Sequence, residues 1–452
     1  MLTFTSLGGA GTVTGSKHLL TLGDHRILVD CGLFQGLKNL REQNWEPLAV
    51  PPQSIDAVVL THAHLDHSGY LPRLVREGFR GPIYCTPATR DVAELILRDS
   101  AHLQEKDAEY ANRKGFSKHS PALPLYTTHE VERTMDFFRT VEFGREFKLP
   151  GNATLTFRRA GHILGAATAS IAWQGTRLAF SGDLGRYDDP VMFDPEPIKE
   201  ADYIVVESTY GDRLHDAADP IEQLSDIIDR TVKRGGTVVI PAFAVGRAQS
   251  LAYYLWRLKR ARRLPAIPIY LDSPMAISAS VLMGKHMEDH RLAPDVCHEI
   301  GRMITLAESV EDSKAITASA FPKIVISASG MATGGRVLHH LAAFAPNHRN
   351  TILFSGYQAA GTRGRAMLEG AREIRIHGQW VPVEAETTEL PTLSAHADAN
   401  GIMRWLRGFE HAPTKVLIVH GEPQAADTLR MRIGHELGWS AAVPRQDQQF
   451  RL

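Results

Sequence analysis

Short apolar runs separated by glycines and polar turns dominate the first 60 residues. The runs HLLTL (18–22) and RILVD (26–30) are typical of strands, and DAVVL (56–60) follows the same pattern. Residues 87–115 instead carry apolar and charged side chains at helical spacing, and Thr127 and Glu130 have the spacing of a helix-capping box. Further strand-like runs are TLTFRRAGH (154–162), RLAFSGD (177–183) and DYIVVEST (202–209).

From about residue 210, helical and strand patterns alternate. IEQLSDIIDRTVKR has the spacing of an amphipathic helix and precedes the apolar run GTVVIPA, and AQSLAYYLWRLKRARR and PAIPIYLDS repeat the pair. Such alternation predicts a parallel sheet with helices on its faces. The β pattern resumes in REIRIHG and WVPVEAETTEL, and KVLIVHGEP contains a later strand. We therefore predict an α/β protein in which residues 209–390 form a domain inserted between residues 1–208 and 391–452 of another.

Composition narrows the class of protein. The chain has 452 residues, 43% of them hydrophobic and 22% charged, and its net charge of −1 excludes a uniformly basic nucleic-acid coat. Cys31, Cys85 and Cys297 lie far apart, without a CxxC pair, so neither a disulfide framework nor a thiolate zinc site is predicted. Because the sequence has neither a leader pattern nor a membrane-length apolar run, we expect a cytoplasmic protein without membrane contact.

The densest chemical signal is the segment HAHLDH, within a chain of 21 histidines. Three imidazoles and one carboxylate fall within residues 62–67, just after an apolar run. Imidazole nitrogens and carboxylate oxygens are ligands that zinc-like divalent ions prefer. His62 and His64 can point one way from an extended segment while Asp66 and His67 turn toward a second point. One stretch could therefore serve two metals; the alternative, a solvated histidine-rich loop, is rarely this dense.

Other polar residues stand at or just beyond the C-terminal ends of strand candidates. A rigid sheet edge can gather such side chains from distant parts of the sequence. A lone histidine after a strand is more often an ordinary surface or core residue, but the joint placement favours a functional site. The residues are His162, Asp183, Glu207 and His420.

These motifs resemble a known family. HAHLDH, together with the later His162, Asp183 and His420, resembles the metallo-β-lactamase fold. VVESTYGDRLH, LSAHADANG and VLIVHGEP resemble the β-CASP subgroup, whose members are nucleases. The resemblance covers essentially the whole chain. It is strongest to bacterial RNA-processing enzymes related to the nuclease subunit of the cleavage and polyadenylation specificity factor, and it implies an αββα sandwich with an inserted parallel α/β β-CASP domain.

The resemblance also implies a ligand set for two zinc ions. The first ion would be held by His62, His64 and His162, the second by Asp66, His67 and His420, and Asp183 would bridge both.

Four further roles are implied by the same resemblance. Asp30, in RILVDCG, matches an aspartate that supports the ligand loop from behind. Glu207, His396 and His420 match the three β-CASP motifs. Histidine at the third motif is typical of members that act on RNA, whereas relatives that act on DNA usually have an apolar residue there.

The expected chemistry is phosphodiester hydrolysis. Two metals roughly 3.5–4 Å apart can activate a water and clamp a phosphoryl oxygen. The leaving oxygen then needs a proton, and His396 is the candidate general acid because imidazole titrates near neutral pH. Glu207 would hold its ring, and Asp66 and Asp183 are predicted both as ligands and as catalytic carboxylates. The alternative for His396 is a capping residue ahead of the helix in HADANGIMRWL.

Glycine-rich loops supply candidate phosphate contacts. SASGMATGGR (327–336) lies between a predicted strand and a predicted helix, an arrangement that presents backbone N–H groups to phosphate. Tight turns with incidental arginines explain the same loops equally well. The run WRLKRARR (256–263) is more typical of a solvated helix end, and GGAGTVTGS (8–16) is interpreted as a loop near the metals. The candidate phosphate-binding residues are Ser329, Gly330, Gly334, Arg336 and Arg247.

The predicted function is a zinc-dependent ribonuclease that hydrolyses single-stranded RNA internally, with 5′-to-3′ exonucleolytic cleavage as a second mode. One alternative, hydrolysis of a small ester, thioester or lactam, leaves the second α/β domain and its loops unexplained. A DNA substrate is disfavoured by His420. An inactive RNA-binding subunit should lack several ligands, whereas all seven candidates are present. The oligomeric state is not readable from the sequence.

Overall fold

The chain divides into two compact units in a computed structural model that describes residues 1–115, 117, 119–216 and 218–452, without the side chain of residue 391. Unit 1 comprises Met1–Leu214 and His396–Leu452, and unit 2 comprises His215–Ala395. Unit 1 is therefore built from both ends of the chain.

The strands and helices are numbered in chain order through both units. The strands are β1 (Leu2–Gly8), β2 (Lys17–Leu22), β3 (His25–Val29), β4 (Ala57–Val59), β5 (Ile83–Cys85), β6 (Phe138–Thr140), β7 (Glu146–Lys148), β8 (Thr154–Arg159), β9 (Ala167–Trp173), β10 (Thr176–Phe180), β11 (Tyr203–Val206), β12 (Val238–Pro241), β13 (Ile269–Asp272), β14 (Thr305–Leu306), β15 (Ile324–Ser327), β16 (Thr351–Phe354), β17 (Glu373–Ile376), β18 (Gln379–Pro382), β19 (Glu386–Glu389), β20 (Lys415–Ile418), β21 (Ala441–Ala442) and β22 (Gln449–Arg451). The helices are α1 (Lys38–Gln43), α2 (Leu65–Ser68), α3 (Leu71–Arg76), α4 (Pro87–Lys114), α5 (Thr128–Met135), α6 (Pro220–Lys233), α7 (Arg247–Arg260), α8 (Pro274–Lys285), α9 (Pro294–Met303), α10 (Val310–Ala318), α11 (Val337–Phe344), α12 (Arg363–Leu368), α13 (Ala399–Leu406) and α14 (Pro423–Leu437).

Unit 1 is a sandwich of two mixed sheets. The first has the order β22–β1–β2–β3–β4–β5–β6 and the second the order β21–β20–β11–β10–β9–β8–β7. Alternate residues of each strand enter the core between the sheets, such as Ile27 and Val29 of β3 and Leu178 and Phe180 of β10. Because β22 pairs with β1 and β20 with β11, the C-terminal segment completes both sheets.

Helices cover the outer faces of this sandwich. Trp405 of α13 and Leu429 of α14 pack on Ile204 and Ile418 of the second sheet. On the side of the first sheet, α4 contacts β6 and packs against α5. The capping box predicted at the start of α5 is confirmed, since the Thr127 hydroxyl accepts a hydrogen bond from the Glu130 N–H and the Glu130 carboxylate accepts one from the Thr127 N–H. The expected αββα sandwich is confirmed.

Unit 2 contains a parallel sheet in the order β14–β13–β15–β12–β16–β19. Val238 and Ile240 of β12 pack on α6 and α7, whereas Val239 faces α11 and α12 on the opposite side. An antiparallel hairpin, β17–β18, accompanies the sheet. The predicted parallel α/β domain is confirmed.

Membrane insertion has no helical support in the structure. Within the residues that the structure describes, none of the helices is both long enough and apolar enough to cross a bilayer.

Candidate metal centre

Functional side chains of unit 1 leave the C-terminal ends of its strands. β3, β4 and β5 are parallel, and β10, β11 and β20 are parallel in the facing sheet. Side chains just beyond such strand ends lie at one edge of a sheet, where they can meet. The residues so placed are Asp30 after β3, His62 after β4, His162 after β8, Asp183 after β10, Glu207 after β11 and His420 after β20.

The HAHLDH segment divides between an extended stretch and a helical turn. His62 and His64 precede α2, while Asp66 and His67 lie inside it. The backbone turns there, because the His67 N–H donates to the His64 carbonyl over 2.9 Å. The two halves of the motif therefore present their side chains to different points.

The first cluster of potential ligands contains three histidines and one aspartate. One ligand atom each from His62, His64, His162 and Asp183 lies within 4.8 Å of all the others. Asp183 Oδ2 is 3.4 Å from His62 Nε2 and 3.6 Å from His162 Nε2. This group has the size and donor set of a cation site.

The second cluster lies on the other side of the same aspartate. Ligand atoms of Asp66, His67 and His420 are within 4.8 Å of one another. Asp183 Oδ1 is 3.2 Å from His67 Nε2 and 3.6 Å from His420 Nε2. One carboxylate thus directs one oxygen to each cluster, which is the geometry of a bridging ligand.

Three buried polar atoms test whether the residues fit a metal. His62 Nε2, His67 Nε2 and Asp183 Oδ1 are buried, and none makes a hydrogen bond of regular geometry with the described residues. Each buried polar group that is left without a hydrogen bond lowers the stability of the fold by about 1–3 kcal/mol. Divalent cations would satisfy these atoms, and imidazole nitrogens with carboxylate oxygens are the donor set of zinc. The residues therefore fit the expected metals.

The electrostatics favour the neutral, metal-binding form of His162 and His420 but the protonated form of His67. Burial lowers the pKa of His162 and of His420 well below that of a free imidazole, which keeps both rings neutral. Burial also opposes the charged form of His67, but the charges of Asp183 and Asp30 raise its pKa well above the usual value. A cation at this position would compete with that proton, so binding there should release it.

Asp30 orients two of the histidines from behind. Its Oδ2 lies 2.8 Å from His67 Nδ1 and accepts a 2.9 Å hydrogen bond from the Thr61 hydroxyl. Thr61 Oγ1 is in turn 3.1 Å from His62 Nδ1. These contacts engage the Nδ1 atoms and leave Nε2 of His62 and His67 directed at Asp183.

His396 approaches the clusters from the C-terminal segment. Its Nδ1 is 3.2 Å from Glu207 Oε2 and 3.9 Å from Asp183 Oδ2. A backbone bridge between His396 and Gly185 holds the segment, and the buried Glu207 accepts a 2.6 Å hydrogen bond from the Leu184 N–H. Burial lowers the pKa of His396, but the charge and hydrogen bond of Glu207 outweigh it and raise the pKa to about 9. An imidazole held in this way can store a proton beside the clusters.

Comparison with known proteins supports the same assignment. Residues 25–234 match the Beta-lactamase superfamily domain, residues 248–367 the Beta-Casp domain, and residues 380–444 the Zn-dependent metallo-hydrolase RNA specificity domain. Ribonuclease TTHA0252 of Thermus thermophilus is 37% identical over 426 residues, which cover 92% of each chain. The chain belongs to the β-CASP family of metallo-β-lactamase-fold hydrolases. The expectation of a metal-dependent hydrolase with RNA as its substrate class is confirmed at the level of this family.

Two other proteins are similar to this β-CASP chain over nearly its whole length. Transcription termination factor FttA of Methanosarcina mazei is 31% identical over 456 residues, which cover 96% of this chain and 69% of that protein. The crystal structure of a protein of unknown function from Enterococcus faecalis V583 superposes with a TM-score of 0.55 at 14% identity and full coverage of both chains. This second likeness concerns the fold alone.

The candidate phosphate contacts of the β-CASP unit lie in loops that are largely engaged internally. Ser329 Oγ accepts a 3.0 Å hydrogen bond from the Thr333 N–H, and Gly330 packs so closely on Phe243 that a Cβ would lie 2.7 Å from its ring. Arg336 donates to Asp272 Oδ1 over 2.7 Å and to two backbone carbonyls. Gly334 follows in the same loop, and Arg247 is a buried residue at the start of α7. Phosphate binding by these five residues stays a prediction.

Two residues beside the candidate ligands were not singled out by the sequence. Thr61 connects Asp30 to His62, and Ser16 Oγ lies 2.8 Å from His420 Nδ1. Thr61 directly precedes HAHLDH, so its position was a usable signal. Ser16 gave none beyond its place in the glycine-rich loop that was expected near the metals.

Proposed function

We propose that this β-CASP protein is a zinc-dependent ribonuclease that hydrolyses phosphodiester bonds of single-stranded RNA, internally and also from a 5′ end. The observation that carries the proposal is the bridging geometry of Asp183, whose two carboxylate oxygens each face a separate cluster of potential ligands. A site that holds two neighbouring cations suits phosphodiester hydrolysis better than a site that holds one.

The proposed ligands divide into two sets that share one residue. Asp30 and Thr61 fix the rings of two ligands from behind. When bound, the ions supply an activated water and neutralise charge on the phosphoryl group. The first ion is assigned to His62, His64 and His162, the second to Asp66, His67 and His420, and Asp183 is shared.

His396 is the proposed general acid. It is 3.2 Å from Glu207, which favours its protonated form, and its side chain is 18% exposed, whereas Glu207 is fully buried. The proton-bearing ring is therefore held by one carboxylate and reachable by substrate. Protonation of the departing oxygen by His396 completes the cleavage, because an unprotonated alkoxide is a poor leaving group.

RNA rather than DNA is the proposed substrate. Its support is the RNA specificity match over residues 380–444, histidine at position 420, and a ribonuclease among the relatives. We propose residues 209–390 as the β-CASP domain and residues 1–208 with 391–452 as the catalytic domain. The proposed compartment is the cytoplasm, where free thiols such as those of Cys31 and Cys85 remain reduced.

The experiment that tests this function compares nucleic acids directly. Purified protein is incubated with end-labelled single-stranded RNA and with DNA of the same sequence, each with and without a chelator. We expect cleavage of RNA alone, lost with the chelator and restored by zinc. Equal cleavage of DNA would contradict the substrate, and cleavage that survives complete metal removal would contradict the metal chemistry.

A further inference from the structure

The loop of residues 9–16 contacts His420 through both of its ends. The His420 N–H donates to the Gly9 carbonyl over 2.7 Å, and Ser16 Oγ lies 2.8 Å from His420 Nδ1. Ser16 is fully buried. The two ends of the loop thus hold both the backbone and the ring of a residue 404 positions later in the chain.

The backbone of His420 has little freedom of its own. Its φ of 48° is left-handed, and its carbonyl accepts a 3.1 Å hydrogen bond from the Ser208 N–H. A Cβ on Gly421 would lie 2.1 Å from Ser208 Oγ, so only glycine fits at that point. The orientation of the imidazole ring is therefore the remaining variable, and Ser16 is the residue that touches it at Nδ1.

Ser16 is also tied to the rest of the second ligand cluster. Its N–H donates to the Asp66 carbonyl over 2.8 Å, and its carbonyl accepts from the Gly32 N–H over 2.9 Å. The same residue therefore links helix α2, which carries Asp66 and His67, the loop that follows β3, and the ring of His420. Among the residues that the structure describes, none of the hydrogen bonds of Ser16 reaches His62, His64 or His162.

We propose that Ser16 is a positioning residue for the second metal site, acting by accepting a hydrogen bond from His420 Nδ1–H. A neutral imidazole carries one N–H, so a proton on Nδ1 leaves the lone pair on Nε2. That atom lies 3.8 Å from Asp66 Oδ2 and 3.6 Å from Asp183 Oδ1, where the second ion is proposed. The inference rests on the proposed two-metal function and adds a residue that the family resemblance does not assign.

The partner of each ligand ring also predicts an asymmetry. His67 Nδ1 faces the Asp30 carboxylate at 2.8 Å, whereas His420 Nδ1 faces a neutral hydroxyl. A carboxylate behind a histidine raises its basicity as a ligand more than a hydroxyl does, and removal of such a partner typically weakens metal binding about 10–100-fold. Because the Ser16 hydroxyl contacts His420, a proposed ligand of the second site, its loss should weaken that site alone.

The chain offers a matched control in Ser6. This serine is also fully buried, and its Oγ donates to the Gly8 carbonyl over 2.9 Å and lies 3.3 Å from His18 Nδ1. His18 belongs to neither ligand cluster. Ser6→Ala removes the same chemical group from the neighbouring end of β1 without touching the proposed metals.

The test is a zinc titration of metal-free protein against a chromophoric chelator, with circular dichroism to follow the fold. We expect wild-type protein and Ser6→Ala to bind two equivalents. Ser16→Ala should bind one equivalent with unchanged affinity and the other about 10–100-fold more weakly. Ser16→Thr, which restores the hydroxyl, should recover most of that loss.

Each contrary result has a distinct meaning. Unchanged binding by Ser16→Ala, equal weakening of both sites, or loss of the metal-free fold would each overturn the positioning role. A wild-type protein that binds fewer than two equivalents would instead overturn the two-metal function, and the inference with it. The readout is metal affinity, so it does not depend on finding the right RNA.

Discussion

Metal binding and proton transfer are proposed roles of different side chains. His396→Ala removes the proposed acid while every proposed ligand remains, so metal content and RNA binding should be retained. The cleavage rate should fall by about 10²–10⁴, the usual contribution of a general acid. Rates of single-turnover cleavage of end-labelled RNA, together with elemental analysis, measure both quantities.

The decisive control is an RNA with sulfur as the leaving atom, because a thiolate departs without protonation. His396→Ala should recover much of its rate on that substrate, whereas Asp183→Ala should remain inactive on both. Equal losses on the two substrates would assign His396 to phosphate contact or to structure instead.

Glu207 should set the pH range in which His396 can act. Its carboxylate raises the pKa of His396 to about 9, although bound cations nearby would bring that value down. An acid must be protonated, so the rate should decline as the pH rises through the pKa. Glu207→Gln removes the negative charge and should move this alkaline limb to lower pH. If the alkaline limb in the pH dependence of kcat/KM did not shift, Glu207 would not control the pKa of the catalytic acid.

Sequence could identify the proposed ligands, but not every residue that contacts them. The HAHLDH spacing and the strand-end positions predicted residues that the structure brings together, including His162 and His420, which are 258 positions apart in the numbering. Ser16 was not predictable, because a single serine in a glycine-rich loop has no spacing that ties it to His420. Only the tertiary fold places their atoms 2.8 Å apart.

At the scale of elements, strand-end loops approach so closely that one position excludes a side chain. A Cβ on Gly32 would lie 1.6 Å from the carbonyl oxygen of Asp66 and 2.6 Å from His67 N. Gly32→Ala must therefore push the ligand loop aside, at a cost of about 1–3 kcal/mol for a forced backbone shift. Metal binding should fall with it, as measured by urea unfolding and by metal content.

Gly434 supplies the matched substitution. It lies on the exposed side of α14, and a Cβ there would meet no atom within 4 Å. Gly434→Ala should stabilise the protein by roughly 0.5–1 kcal/mol, because alanine loses less conformational freedom in a helix. If Gly32→Ala behaved like Gly434→Ala, the close packing of the ligand loop would be refuted.

The elements that sequence patterns revealed are those with a buried face. β3, β8 and β10 coincide with predicted apolar runs, and the predicted helix at 87–115 is α4. By contrast, both residues of β14 are exposed. A two-residue element without a buried face gives no periodic signal, and β14 pairs in parallel with β13.

At the scale of the whole molecule, the proposed metals should contribute to stability. Ligands that bind only the folded state stabilise it, by about 2.7 kcal/mol for one site at a free concentration of 100 times its Kd. Complete chelation should therefore lower the Tm, and added zinc should restore it. Thermal melts that are identical with and without chelator would contradict a structural contribution of the site.

The fold class was predictable at this scale because two patterns differ along the chain. Alternating helices and strands marked the region of unit 2, and β-rich segments marked the N-terminal part of unit 1. The pairing of β22 with β1 and of β20 with β11 was not encoded in either local pattern. The family resemblance implied only that both ends of the chain build one sandwich, without naming these strand pairs.

A zinc titration of metal-free protein, followed by cleavage of end-labelled single-stranded RNA, tests whether Asp183 is shared by two catalytic cations. If Asp183 joins two cations in one catalytic unit, activity should curve upward between zero and two equivalents and reach its plateau at two. A linear rise that ends at one equivalent, or no cleavage with both sites filled, would contradict a catalytic site built from two cations that share Asp183.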